Sequence, residues 1–335
     1  SLSLSLWVGV SWEGGREDPI GSDPIMAPCF SVVGLYGSRL GRSFLAAGLH
    51  RETHDIDGGE TTMRCWVADA APGGAADPRP TAVLIHGFGP SAEWQWRRQV
   101  GPLSRRFRLV VPDLVFFGGS STRSRRRTVE FQAECVLKLL DRVGVGRFSA
   151  VGTSYGGFVA CRVAMAAGPG RVERVVVASS DPLKTAEDDA ALKERAGVGD
   201  IADLMLPRDT RSLRALLRLS LHRRPPFLPD FLLRDILQTL FADNREEKLE
   251  LLAGLEPDKY DEISGSPLHQ EVLIVWGEHD YLFPLEKAHV LKKHLGEKAR
   301  LEVMKNTAHM PQVEDADRFN EFVLNFLLEA PRSSL

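Results

Sequence analysis

The sequence predicts an α/β architecture: a mostly parallel central sheet with helices on both faces and a helical cap inserted into it. Three observations predict it. Short, continuous apolar runs alternate with amphipathic helical segments, the pattern of parallel strands covered on both sides. Between 182 and 267 the strand pattern stops, and Leu, Arg and helical spacing take over. The strand pattern then resumes at Val272, so the helical part reads as an insertion rather than a second sheet.

In chain order, 63–68 reads as a strand that runs into a Pro/Gly/Ala loop over 70–80. Thr81–Ile85 is an apolar strand stopped by His86-Gly87-Phe88-Gly89, where glycine marks a tight loop. A helix is expected over 93–103, and a buried strand over 107–111 that Pro112-Asp113 ends. Thr128 is an N-cap, and Val129, Ala133, Val136, Leu137 and Leu140 follow at helical spacing until Gly144. A strand over 148–151, a small-residue helix Tyr155–Ala167 and a strand Val172–Ala178 complete the first half. Strands over 272–276 and 301–304 and a helix over 315–328 complete the second. The organisation is therefore a core of 46–181 and 266–331, a helical cap of 182–265, and a flexible arm of 1–45 packed on the core. The acidic stretch before Pro24 is unlike a secretory leader, and Met26 is the expected natural start.

Lys and Arg number 42 against 45 Asp and Glu, a net charge of −3, so no global basic excess exists to hold a nucleic acid. Cys29, Cys65, Cys135 and Cys161 lie far apart with no CxxC, which argues against a zinc knuckle or a disulfide scaffold. A reducing compartment fits this usage, and the expected location is cytoplasmic. A plastid or membrane-associated location is the alternative, because 26–50 holds Arg39 and Arg42 and no acidic residue. Peripheral membrane contact would run through the cap or this arm. Either a monomer or a homodimer is compatible with the chain.

The chemistry concentrates in four loops. Gly152-Thr153-Ser154-Tyr155-Gly156 lies between an expected strand and an expected helix, the context in which GxSxG presents a nucleophile. Small residues two before and two after Ser154 let strand and helix approach, and the helix N-terminus adds N–H groups suited to an oxyanion. A serine needs a base and a group to orient that base. His309 follows the last expected strand and Asp280 the one before, giving the order Ser154, Asp280, His309. Asp181, after an earlier strand, is the alternative acid; Glu278 and His279 read as loop residues. The backbone N–H groups of Phe88 and Tyr155 are assigned to the oxyanion hole, and His86 reads as structural. The chemistry requires no metal and no organic cofactor.

On these residues the chain resembles the α/β-hydrolase superfamily over roughly 60–330. Val111-Pro112-Asp113-Leu114 with Gly118-Gly119-Ser120, Trp276-Gly277-Glu278-His279-Asp280 and the helix after His309 fit that family's pattern. The stretch 111–121 and Ala47-Gly48-Leu49 are similar to a plant subgroup with monoacylglycerol lipase-like, epoxide-hydrolase-like and carbon–carbon hydrolase-like names. Epoxide hydrolases and haloalkane dehalogenases of this fold carry aspartate where this chain has Ser154, and Tyr260 is the insertion's one tyrosine. Relatives with acyltransferase claims carry His-x4-Asp; here Glu314 stands at that spacing from His309.

The resemblance implies a serine hydrolase that cleaves a carboxylic ester, such as an acylglycerol, through an acyl-enzyme. A carbon–carbon hydrolase using the same triad, or a hydrolase-fold ligand receptor with slow turnover, are the other readings. Phe227, Leu228, Phe231, Leu232, Ile236, Leu237 and Phe241 form an apolar series that packs the cap or lines a substrate tunnel. Arg208, Arg211, Arg214, Arg218, Arg223 and Arg224 form a basic stretch, either a solvated face or an anion-binding one.

Overall fold

A computed structural model describes residues 31–69, 77–224, 227–255 and 268–330. The expected start at Met26, the arm up to 30, Tyr260 and the end of the cap segment lie outside these residues. The strands are β1 (Leu49–Asp55), β2 (Thr61–Ala68), β3 (Thr81–Ile85), β4 (Arg108–Pro112), β5 (Ser121–Thr122), β6 (Phe148–Thr153), β7 (Val172–Ala178), β8 (Glu271–Gly277) and β9 (Ala299–Met304). They form one sheet in the order β1-β2-β4-β3-β6-β7-β8-β9, with β5 on the flank of β2. From β4 to β9 every pairing is parallel, while β1, β2 and β5 pair antiparallel.

Alternation decides which helices each strand meets. In β3, Val83 and Ile85 join the core under α4 (Val129–Arg142) and α5 (Tyr155–Ala167), while Ala82 and Leu84 join the opposite core. That second core holds Trp96, Phe319 and Val323 and is covered by α13 (Ala316–Leu328). Thr128 caps α4 by accepting the Phe131 N–H at 3.2 Å, as its sequence position requires.

Two elements differ from the sequence reading. Residues expected in the flexible arm form α1 (Val32–Ala46), capped by Ser31 and pinned to the cap by Asp235, which accepts the Val33 N–H at 2.9 Å. The helix expected over 93–103 is two short helices, α2 (Ala92–Trp96) and α3 (Val100–Ser104). Pro102 has no N–H to offer the Arg98 carbonyl, which accepts the Asn320 side-chain amide at 3.1 Å instead.

Between β7 and β8 the described residues form five helices: α6 (Ala186–Ala196), α7 (Ile201–Met205), α8 (Thr210–Ser220), α9 (Asp230–Leu240) and α10 (Arg245–Ala253). Helices α8, α9 and α10 share an apolar core with Leu206, built on Leu213, Leu217, Leu233 and Ile236, against which Phe88, Trp94 and Met310 also pack, while α6 and α7 pack in a second cluster with Leu219 and Leu282. After β8 come α11 (Leu285–Leu295), then β9 and α12 (Pro311–Glu314). Among the described residues no helix is long and apolar enough to cross a membrane.

Candidate active site

The turn from β6 into α5 is as tight as its glycines suggest. A Cβ at Gly152 would lie 2.1 Å from the Gly156 carbonyl oxygen, and one at Gly156 would lie 2.2 Å from that of Ile85. Ser154 sits between them at φ 50° and ψ −123°, a conformation that non-glycine residues rarely adopt. Its N–H donates to the Ala178 carbonyl at 2.8 Å, which holds the residue out from the end of β6. Tyr155 is the first residue of α5, so its N–H is one of the helix-end donors with no acceptor inside the helix.

Asp280 and His309 come to Ser154 from the C-terminal ends of β8 and β9. His309 Nε2 lies 2.9 Å from Ser154 Oγ, and His309 Nδ1 lies 2.9 Å from Asp280 Oδ2. A carboxylate can only accept, so Nδ1–H donates to Asp280 and Nε2 is left to accept the serine hydroxyl proton. The other Asp280 oxygen accepts the N–H groups of Leu282 and Phe283, each at 2.9 Å, which fixes the carboxylate. Asp280 and His309 are 4% and 6% exposed, so the pair acts in a largely dry setting.

Asp181 is not part of this chain of bonds. It accepts the Leu183 N–H at 3.1 Å and faces Lys287 Nζ at 3.4 Å. Burial pushes its carboxyl up to about 6, against the opposing pull of Lys287. Glu278 is an exposed loop residue that accepts the Asn306 N–H at 3.2 Å, and His279 stacks on His222 of the cap. Among the described residues no group of three or more His, Cys, Asp or Glu could hold a metal ion.

The loop after β3 lies beside β6 because β3 and β6 are paired neighbours, Ile85 opposite Gly152. His86 is buried and bonded on both ring nitrogens, donating to the Gly87 carbonyl at 2.8 Å and accepting the Leu114 N–H at 2.9 Å. Burial lowers its pKa, so it is a neutral structural histidine. Gln95, which the sequence did not single out, clamps the loop: its amide accepts the Gly87 N–H at 2.7 Å and donates to the Gly87 carbonyl at 3.0 Å. Phe88 follows this clamp and faces the same cavity as Ser154.

Two cavities meet at Ser154. The larger has a volume of about 100 Å³ and is walled by Trp94, Met205, Leu213, Leu216, Leu217, Leu240, Phe241 and Met310, with Arg97 also on its lining. The smaller runs past Tyr155, Phe158 and Phe283 to Lys184, whose ammonium is held by both Asp189 oxygens at 2.8 and 2.7 Å. Of the apolar series noted in the cap, Phe241 reaches a cavity, Leu232 and Ile236 are buried in the cap core, and Phe227 and Phe231 are exposed. Arg208, Arg211, Arg214 and Arg218 line a separate polar groove on the cap surface together with Asp203 and Asp209.

Residues 80–316 match the family described as alpha/beta hydrolase fold. The chain belongs to this family. Its relatives include the 2-hydroxy-6-oxo-2,4-heptadienoate hydrolase of Pseudomonas putida, 28% identical over 302 residues that cover 87% of this chain and 97% of the relative. Another is the dihydrolipoyllysine-residue acetyltransferase component of the acetoin cleaving system of Cupriavidus necator, 29% identical over 278 residues, 82% of this chain and 68% of the relative. Among solved structures, a bacterial membrane phospholipase A superposes with a TM-score of 0.72 at 24% identity, covering 88% of this chain and 90% of that one. The 2-hydroxy-6-oxo-6-phenylhexa-2,4-dienoate hydrolase of Rhodococcus sp. strain RHA1 superposes at 0.65 with 22% identity, covering 84% and 99%. These likenesses agree with the fold: this α/β hydrolase has a mostly parallel sheet and carries Ser154, Asp280 and His309 just past the C-terminal ends of its strands.

Proposed function

We propose that this α/β hydrolase cleaves carboxylic esters with Ser154 as nucleophile, His309 as base and Asp280 as the group that orients it. The observation that carries the reading is the unbroken series Asp280–His309–Ser154, with 2.9 Å at each contact. Ser154 Oγ attacks the ester carbonyl as its proton passes to His309 Nε2. The negative charge on the carbonyl oxygen is met by the N–H groups of Phe88 and Tyr155, each such donor contributing about 3 kcal/mol to the barrier reduction. His309 then protonates the departing alcohol. Water attacks the acyl-enzyme by the reverse route and frees the acid. The apolar walls of the larger cavity suit an acyl chain. The Lys184–Asp189 pair gives the smaller cavity one donor and one acceptor, which suits a hydroxyl-bearing alcohol.

Carbon–carbon hydrolysis is the second reading. It is favoured by relatives whose names denote hydrolysis of oxo-dienoates and by Arg97 on the wall of the larger cavity, a cation that could meet a carboxylate. Both readings are tested by turnover of p-nitrophenyl esters from two to sixteen carbons beside a 2-hydroxy-6-oxo-dienoate, with Ser154→Ala as control. Ester turnover that Ser154→Ala reduces by several orders of magnitude supports the first reading. Turnover of the dienoate alone replaces it with the second, and Ser154-independent turnover overturns both.

A further inference from the structure

Glu314 joins the strap after cap helix α8 to the loop that carries His309. One carboxylate oxygen accepts the N–H groups of His222 and Arg223, each at 2.9 Å, in the strap that leaves cap helix α8. The other accepts the N–H of Ala308, the residue before His309, at 2.6 Å. Glu314 is 5% exposed, so these bonds are little diluted by solvent. The segment that carries it is anchored to the core: Gln99 donates to the Gln312 carbonyl at 2.8 Å and Arg98 to that of Val313 at 3.0 Å. The same strap also reaches the acid loop. The His222 ring stacks on that of His279, with centroids 4.3 Å apart and planes 11° from parallel, and His279 directly precedes Asp280.

We infer that Glu314 is a positioning residue that ties the seating of the cap to the alignment of His309 with Ser154. The inference rests on the serine-hydrolase reading. With the strap in place, the carboxylate is held by N–H groups on both oxygens and presents a fixed acceptor to Ala308. If the strap leaves, one oxygen loses both its partners in a buried setting, a costly state that the side chain escapes by turning toward water. That turn releases Ala308 and lets His309 drift. A misplacement of about 1 Å in a reacting geometry can cost about a hundredfold in rate. An open cap is thus coupled to a disarmed triad.

The test is Glu314→Gln. The amide keeps the size but offers one acceptor oxygen and one NH2 donor, so it serves the strap or Ala308 and opposes the other with a donor. The expected result with a short, soluble ester is a fall in kcat of about ten- to a hundredfold with KM within about twofold. Labelling of Ser154 by a fluorophosphonate should slow by the same factor yet reach the same end point, which counts folded, intact sites. An unchanged kcat, or a loss confined to KM, overturns the inference. Arg223→Pro removes one strap N–H and leaves Glu314 and Ala308 intact; a lowered kcat with KM kept is expected there too. Full kcat in Arg223→Pro refutes the coupling to the cap, whether or not Glu314→Gln folds. Failure of the hydrolase reading itself is recognised separately, by wild-type protein that the fluorophosphonate does not label at Ser154.

Discussion

Replacing Asp181 by Asn separates the two candidate acids and should make the protein more stable. In the fold the Asp181 carboxyl titrates at about 6, against 3.8 for an unperturbed side chain, because burial disfavours its charge more than Lys287 at 3.4 Å restores it. Between those two pH values the native chain holds a proton that the unfolded chain has released. Stability therefore declines as pH rises through that window, and above it the full cost of ionising the group is present. About two pKa units correspond to about 3 kcal/mol. An Asn at 181 carries no such cost and can still accept the Leu183 N–H, while Lys287 keeps Asp188 at 2.6 Å. Unfolding entropy of about 2.1 cal/mol/K per residue, taken over this chain, turns about 3 kcal/mol into a rise in Tm of about 4 °C. The assay is a pair of thermal melts, wild type and Asp181→Asn, at pH 8 and again near pH 4. The variant should melt higher at pH 8, and the gap should close at the lower pH. Ester turnover should stay within about twofold, because His309 takes its partner from Asp280. An equal gap at both pH values would refute the burial argument. Turnover lost by orders of magnitude would show that the acid acts from the end of β7.

Asp280→Asn should fold and lose about ten-thousandfold in kcat, since an amide at that place favours the wrong histidine tautomer; a change under tenfold in a stopped assay would remove Asp280 from the mechanism. Gly156→Ala forces a Cβ to within 2.2 Å of the Ile85 carbonyl oxygen, so it should cost about 3 kcal/mol or more and displace Ser154, read as a lower Tm together with lost fluorophosphonate labelling. The lipid contact expected of the cap would use Phe227 and Phe231, which are 69% and 60% exposed, with Arg234 exposed beside them. Serine at both positions should weaken sedimentation with vesicles of phosphatidylcholine and phosphatidylglycerol by about tenfold or more and leave soluble-ester turnover unchanged. Equal sedimentation of both proteins would place any lipid contact elsewhere.

The loops that bring Ser154, Asp280 and His309 together were legible because each follows an element whose pattern has one interpretation. A continuous apolar run such as 272–276 reads as a two-sided strand, and residues just past such strands share one edge of the sheet. What lay beyond that logic went unread for identifiable reasons. Helix α1 contains Gly34, Gly37 and Gly41, which lower helix propensity and read as coil. In the fold Gly37 is a tight position, where a Cβ would meet the Trp94 ring at 3.0 Å, whereas one at Gly41 would make ordinary contact with the Trp66 ring at 3.5 Å. Strand β1 is an edge strand with alternate residues half-exposed, so His50, Glu52 and His54 mask it as polar loop. Gln95 carries no local signal, and the spacing of Glu314 from His309 is silent on what its carboxylate holds. Their partners are backbone groups of other segments, and nothing in the sequence near them announces those partners.

The cap marks the physical limit of this kind of reading. In the sheet, knowing that a residue is buried nearly fixes its partner, since each face has one layer of helices above it. In the cap the same helical periodicity holds, yet the residues it picks out have three different fates. Leu232 and Ile236 meet other cap helices, Leu240 and Phe241 meet the cavity, and Phe227 and Phe231 meet neither. Periodicity states that a face is apolar and is silent on whether protein, substrate or lipid will cover it. Ser154, Asp280 and His309 sit in loops that the sheet positions, whereas the cavity walls come largely from short cap helices that are positioned against one another. A bond such as that from Glu314 to the strap matters for this reason: it is where the less constrained layer is registered against the fixed one, and so where cap sequence acquires a hold on the rate as well as on the choice of substrate.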